Sequence, residues 1–174
     1  MRRVSVQYAV GCEVMINVVV SPADRTALWS ALTTLPVAWD TVPREGIMLS
    51  GGIYLRHSDA PDGEVNHLMV TLHQSEWLED LSDDSGDDTE HELAEPFAVK
   101  CWEKAHELVR DMVAEATYVL GDPAQARPDA RVGVNWLLPD RTISVGVTQA
   151  DKECPIEVCV WLLPPGQTWD MLGL

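Results

Sequence analysis

The sequence predicts an α+β protein: a mainly antiparallel sheet in the order ββ-α-ββ-loop-α-βββ, with two helices packed on one face. Three observations lead there. The first twenty residues alternate apolar and polar with a period of two. Two later segments repeat apolar residues at helical spacing, each bounded by start and stop residues. The remaining alternating runs are joined by short Gly-, Pro- and Asp-bearing connections, which pair neighbours antiparallel.

At the N-terminus, Val4, Val6, Tyr8, Val10, Cys12, Val14, Ile16, Val18 and Val20 all fall on even positions. One strand of that length would run roughly 55 Å, too long for a domain of this size. The expected reversal is at Gly11, pairing Val10 with Cys12, Tyr8 with Val14 and Val6 with Ile16. Such an odd-length turn keeps every even position on one face.

The first helix follows. Ser21 supplies an N-cap, Pro22 suits the first helical position and Asp24 lies in the first turn. Ala27, Leu28, Ala31, Leu32 and Leu35 make its apolar stripe, and Pro36 ends it. A second strand pair is expected over 46–55 and 65–73. Ile47, Leu49, Ile53 and Leu55 alternate in the first, where Gly51-Gly52 marks a bulge or a close backbone approach. The turn is Asp59-Ala60-Pro61-Asp62-Gly63. In the returning strand Leu68, Val70 and Leu72 face the core, while Val65, His67, Met69, Thr71 and His73 face the other way.

Residues 74–95 have the composition of a solvated acidic loop. The second helix is expected over 96–120, with Trp102, Ala105, Leu108, Val109, Met112, Val113, Ala116, Val119 and Leu120 at helical spacing and Gly121 and Pro123 as the stop. Strands over 131–138, 141–149 and 155–163 close the fold, the first two joined by a tight turn at Pro139-Asp140. The tail, 164–174, holds Trp169, Met171 and Leu172 without a clear period. All 174 residues are read as one domain.

Charge narrows the function classes. The net charge is −16, and thirteen of the twenty-eight acidic residues lie between His57 and Val99, a stretch without Lys or Arg, so the rest of the chain carries only −3. A field of that sign repels nucleic acid and anionic lipid and steers basic proteins inward. No apolar run approaches the roughly 18 residues of a membrane helix. The basic Met1-Arg2-Arg3 start is followed by Ser5, Gln7, Glu13 and Asn17, not by the apolar run of an export signal. The expected location is therefore cytoplasmic, with Cys12, Cys101, Cys154 and Cys159 reduced.

The residues that could carry chemistry are sparse. The cysteines lack CxxC spacing, and Cys154 and Cys159, five apart on one strand, point to opposite faces and cannot pair with each other. His67 and His73 lie about 20 Å apart on one strand face, too far to share a metal or a proton. His73-Gln74-Ser75 resembles the His-x-Ser/Thr element of two-histidine phosphoesterases, which need two such elements where this chain has one. His91 and His106 read as a loop and a helix-boundary residue. The Asp83-to-Asp88 cluster departs from EF-hand spacing, since Gly86 at the sixth position puts Leu81 at the first ligand position. Gly-x-Ser-x-Gly and Walker motifs do not occur. No catalytic residue, metal site or cofactor is assigned.

The expectation is a non-enzymatic binding protein that neutralises or sequesters a basic protein partner, in the manner of an immunity protein or a phage-encoded inhibitor. Its candidate contact residues are Trp77, Glu79, Asp80, Asp83, Asp84, Asp87, Asp88 and Glu90, an aromatic anchor within a field of carboxylates. Two readings compete. One is a small enzyme or ligand-binding domain with a pocket between sheet and helices. The other is a structural or homo-oligomeric assembly subunit joined through edge strands and the apolar tail.

Overall fold

The computed structural model describes residues 4–7, 13–16, 22–49, 53–59, 66–75, 91–126, 133–150 and 154–172. The chain order is β1 (Val4–Gln7), β2 (Glu13–Ile16), α1 (Pro22–Thr34), β3 (Ile47–Met48), β4 (Tyr54–Asp59), β5 (Asn66–Gln74), α2 (His91–Leu120), β6 (Gln125–Ala126), β7 (Gly133–Leu138), β8 (Arg141–Thr148) and β9 (Glu157–Leu163). Short 3-10 turns add Trp39–Thr41 and Trp169–Leu172. Strands β3 to β9 form one antiparallel sheet in the order β3-β4-β5-β9-β8-β7-β6, and β1 and β2 form a separate two-stranded sheet. The α+β class and antiparallel pairing follow the sequence expectation.

The N-terminal hairpin corrects the expected register. Val6 pairs with Val14, not Ile16, and Val4 pairs with Ile16. The expected reversal at Gly11, with Tyr8, Val10 and Cys12, lies outside the described residues. Even positions still oppose even positions, because a shift of two residues preserves the strand's parity.

The run over 46–55 is not one strand. Ile47 pairs with Leu55 and Met48 with Tyr54, and the Leu49 N–H donates to the Ile53 carbonyl at 2.7 Å. The Gly51-Gly52 stretch, expected as a bulge or a close backbone approach, lies outside the described residues. A bulge does lie in β5. Thr71 pairs with Cys159 but His73 with Val158, so one extra residue sits between them on β5. Beyond the bulge the facing of side chains is inverted.

Helix α2 starts five residues earlier than expected, leaving Pro96 inside it. Pro96 lies in the second turn, so its ring removes a single main-chain bond near an end whose first four N–H groups have no intrahelical acceptor. The connection from β5 to α2 therefore spans 75–90, not 74–95. Strand β6, which sequence reading missed, is two residues long and carries no alternation to detect.

Both helices cover one face of the sheet. Helix α2 buries Ala105, Val109, Met112 and Ala116, and α1 buries Leu28, Trp29 and Leu32. Trp29 replaces Ala27 in the expected stripe, since Ala27 is exposed. These side chains meet Leu55, Leu68, Val70, Leu72, Val134, Trp136, Ile143, Val145, Val158, Val160 and Leu162. Gly121, at φ 84°, terminates α2 in the left-handed conformation, and its carbonyl accepts the Trp136 indole N–H at 2.8 Å. Arg25 of α1 grips Glu115 of α2 through Nη2–Oε1 and Nε–Oε2 contacts of 2.7 and 2.8 Å, which fixes the helix pair.

The opposite face holds a second apolar cluster of Met69, Cys159, Trp161, Leu163, Trp169 and Leu172. The tail is thus part of the fold, and β8 and β9 are covered on both sides. That accounts for the nearly continuous burial of both strands. Among the described residues, no helix is long and apolar enough to cross a membrane.

Candidate functional site

All eight contact residues expected from sequence, Trp77, Glu79, Asp80, Asp83, Asp84, Asp87, Asp88 and Glu90, lie in 76–90 and so outside the described residues. The two ends of that segment are described. At its start, the Ser75 N–H donates to the Ile156 carbonyl at 2.9 Å, and the Ile156 N–H donates to Ser75 Oγ at 2.9 Å. This reciprocal pair pins the departure point against the entry to β9. At its end, His91 opens a helix of 30 residues. That helix takes in the last residues of the expected acidic loop, 91–95.

The structure also brings together polar residues that sequence reading left unassigned, on the sheet face away from the helices. Thr71 Oγ1 and Cys159 Sγ share a hydrogen bond of 3.6 Å. The Ser144 hydroxyl donates to Asn135 Oδ1 at 2.6 Å. Arg56 Nη2 lies 3.9 Å from Glu157 Oε2. Burial pushes the Glu157 carboxyl above its usual range, an effect only partly offset by Arg56. Burial also pushes the Cys159 thiol up to about 12, with the Glu157 charge acting in the same direction.

Those environments decide the chemistry. A thiol that remains protonated at neutral pH is a packing group, not a nucleophile. An amide oxygen cannot take a proton from Ser144, so that hydroxyl is oriented but not activated. The cluster works as a hydrogen-bonded floor beneath the second apolar layer. The alternation of Thr142, Ser144 and Gly146 with Ile143, Val145 and Val147 was the one available signal, and it reads equally well as a solvated face.

The histidines separate. His67 is buried on the second face. The bulge turns His73 to the helix side opposite Val158, so the two do not share a face as the simple alternation implied. Burial lowers the His73 pKa, and Lys104 of α2 lowers it further. The His106 ring lies against Trp102 with centroids 5.5 Å apart, in keeping with a helix-boundary role. Cys154 precedes β9 instead of sharing that strand with Cys159. Among the described residues, no group of three or more His, Cys, Asp or Glu side chains is placed to hold a metal ion.

No protein-family model, curated protein or solved structure matches this chain.

Proposed function

We propose that this chain is a non-enzymatic binding protein that captures a basic protein partner through the acidic segment 76–90. The observation that carries the reading is the charge distribution: between His57 and Val99 there are thirteen acidic residues and no Lys or Arg, and eight of the thirteen fall within 76–90. Its two ends are tied to ordered elements, Ser75 against Ile156 and His91 at the start of α2. Three of the described arginines already face carboxylates of their own chain, Arg25 with Glu115, Arg56 with Glu157 and Arg141 with Asp140. A concentrated anionic surface raises the encounter rate with a cationic partner, and Trp77 would supply the desolvated anchor that slows release.

The competing readings have less to stand on. The layer between sheet and helices is lined by apolar side chains, which offers few polar groups to orient or transform a ligand. The outer strands β3 and β6 are only two residues long, and Trp169 and Leu172 of the tail are buried within the chain's own second cluster. Assembly through those surfaces has little to use.

The test is the kinetics of association with the captured basic partner. The association rate should fall steeply with added salt, and neutralising Asp80, Asp83, Asp84, Asp87, Asp88 and Glu90 to their amides should slow it to the high-salt value. Trp77→Ala should shorten the lifetime of the complex with little change in its rate of formation. An association rate indifferent to both salt and the amide substitutions overturns the proposal.

A further inference from the structure

We propose that residues 164–172 form a hinged strap that opens as a unit from its seat on the second sheet face while the seven-stranded sheet stays intact. The hinge follows directly on Leu163, the last residue of β9, and reads Pro164-Pro165-Gly166. Gly166 sits at φ 78°, and the Gln167 N–H closes the turn on the Pro164 carbonyl at 3.2 Å. Two prolines remove two main-chain donors from the segment, so few backbone bonds tie it down. The strap's other main-chain bond, Met171 N–H to the Thr168 carbonyl at 3.0 Å, is internal. Among the described residues, no main-chain hydrogen bond joins the strap to the sheet.

Two side chains hold it instead. Leu172 is fully buried, and Trp169 stacks on Trp161 with ring centroids 6.5 Å apart and planes inclined by 22°. The Trp169 indole occupies the space above Gly133, where a Cβ would lie only 1.3 Å from its Nε1. Gly133 is therefore the floor of the seat, and any larger residue evicts the indole.

The closed strap leaves polar atoms unsatisfied. Trp161 Nε1 and Thr142 Oγ1 are buried without a hydrogen-bond partner among the described residues, and so is Gln167 Oε1 of the strap itself. Thr142 lies opposite Leu163 in the β8–β9 register, which places it on the covered face. Each buried, unpaired group costs free energy, whereas water would satisfy all three on opening. That penalty opposes the gain from burying Trp169 and Leu172. The strap is thus held less firmly than the ladder-bonded strands beneath it. Opening presents the Trp161 indole N–H and the Thr142 hydroxyl beside an apolar surface.

Native-state amide exchange of the full chain, followed by NMR at increasing urea below the unfolding transition, tests this. The Gln167 and Met171 amides should exchange through an opening whose urea dependence is less than about a third of that for amides in β8 and β9. Gly133→Ala should speed strap exchange at least about tenfold while β8 and β9 protection changes less than about threefold. Trp169→Ala gives the same readout if Gly133→Ala does not fold, and the unmodified protein alone decides the matter. Strap amides that share the urea dependence and opening free energy of β8 and β9 overturn the proposal.

Discussion

Arg141, the first residue of β8, donates from Nη1 to the carbonyl oxygen of Leu32 near the C-terminal end of α1, at 2.9 Å. The same nitrogen reaches the Leu35 carbonyl, while Nε holds Asp140 Oδ1 at 3.0 Å. Helix α1 has no basic residue in its own last turn, so an arginine from a strand more than a hundred residues away serves the negative end of its dipole. Arg141 is only 5% exposed, and removing it would leave the Leu32 and Leu35 carbonyls short of a donor. Arg141→Met should therefore cost about 2–4 kcal/mol in urea unfolding. Arg141→Lys should recover part of that, because an ammonium cannot reproduce the planar fork. A methionine variant as stable as the parent would remove this contact from the account of the fold.

The same arginine sets an acid limb. Its hydrogen bond holds the exposed Asp140 carboxyl below the ordinary value of 3.8. A lowered carboxyl pKa contributes stability that is present above the unfolded value and fades as pH falls through the folded one. Asp140→Asn should lower stability at neutral pH and flatten the decline below about pH 4, so that parent and variant converge in acid. A profile unchanged by the substitution throughout the acid range would show the contact to be solvent-screened.

His73 sets a second limb at higher pH. Burial first, and Lys104 second, lower its pKa below 6.5, so the folded protein favours the neutral imidazole. The unfolded chain binds the proton more readily, and stability should decline as pH falls from about 6.5 towards the folded value. NMR titration should place His73 below an unperturbed histidine, Lys104→Gln should move it part of the way back, and His73→Gln should erase the limb. A His73 that titrates at its unperturbed value would refute the inward placement caused by the bulge.

Why sequence reading caught some of this and missed the rest is a matter of which interactions are local. Helix α1 and the body of α2 were legible because Pro22, Gly121 and the spacing of Ala105, Val109, Met112 and Ala116 act within a few turns. The strand pairs were legible from alternation and from turns such as Pro139-Asp140. The bulge between Thr71 and His73 was not, because it depends on the register with β9 and leaves no mark in composition. Likewise, two residues suffice for β6, and Pro96 deep in the first turns of α2 reads as a start signal. The tail's role was hidden for the same reason: Trp169 has no periodic neighbours, and only Gly133, thirty-six positions away, shows what it fits. Of the candidate site, charge was legible from residue counts alone. The polar floor was not, since Thr71, Ser144 and Cys159 acquire meaning only when both sheet faces are covered.

Cys159 turns that last point into a measurement. Its thiol is completely buried, and its pKa is pushed up to about 12 by burial and by Glu157, with Thr71 and Arg56 acting in the opposite sense. At pH 8 the thiolate fraction is then on the order of 10⁻⁴, and the sulfur is shielded from reagents as well. Cys101 and Cys154 are partly exposed. Alkylation of the native protein followed by peptide mass spectrometry should modify Cys101 and Cys154 and leave Cys159 at under about a hundredth of the Cys154 rate. In denaturant the difference should vanish, because the thiol returns to its ordinary value near 9.0 once burial is lost. Thr71→Val should leave native labelling equally slow while lowering stability by about 1 kcal/mol, the worth of one neutral hydrogen bond. Labelling of Cys159 as fast as Cys154 in the folded state would mean that the second face is open to solvent, and the two-sided packing of β9 would have to be abandoned.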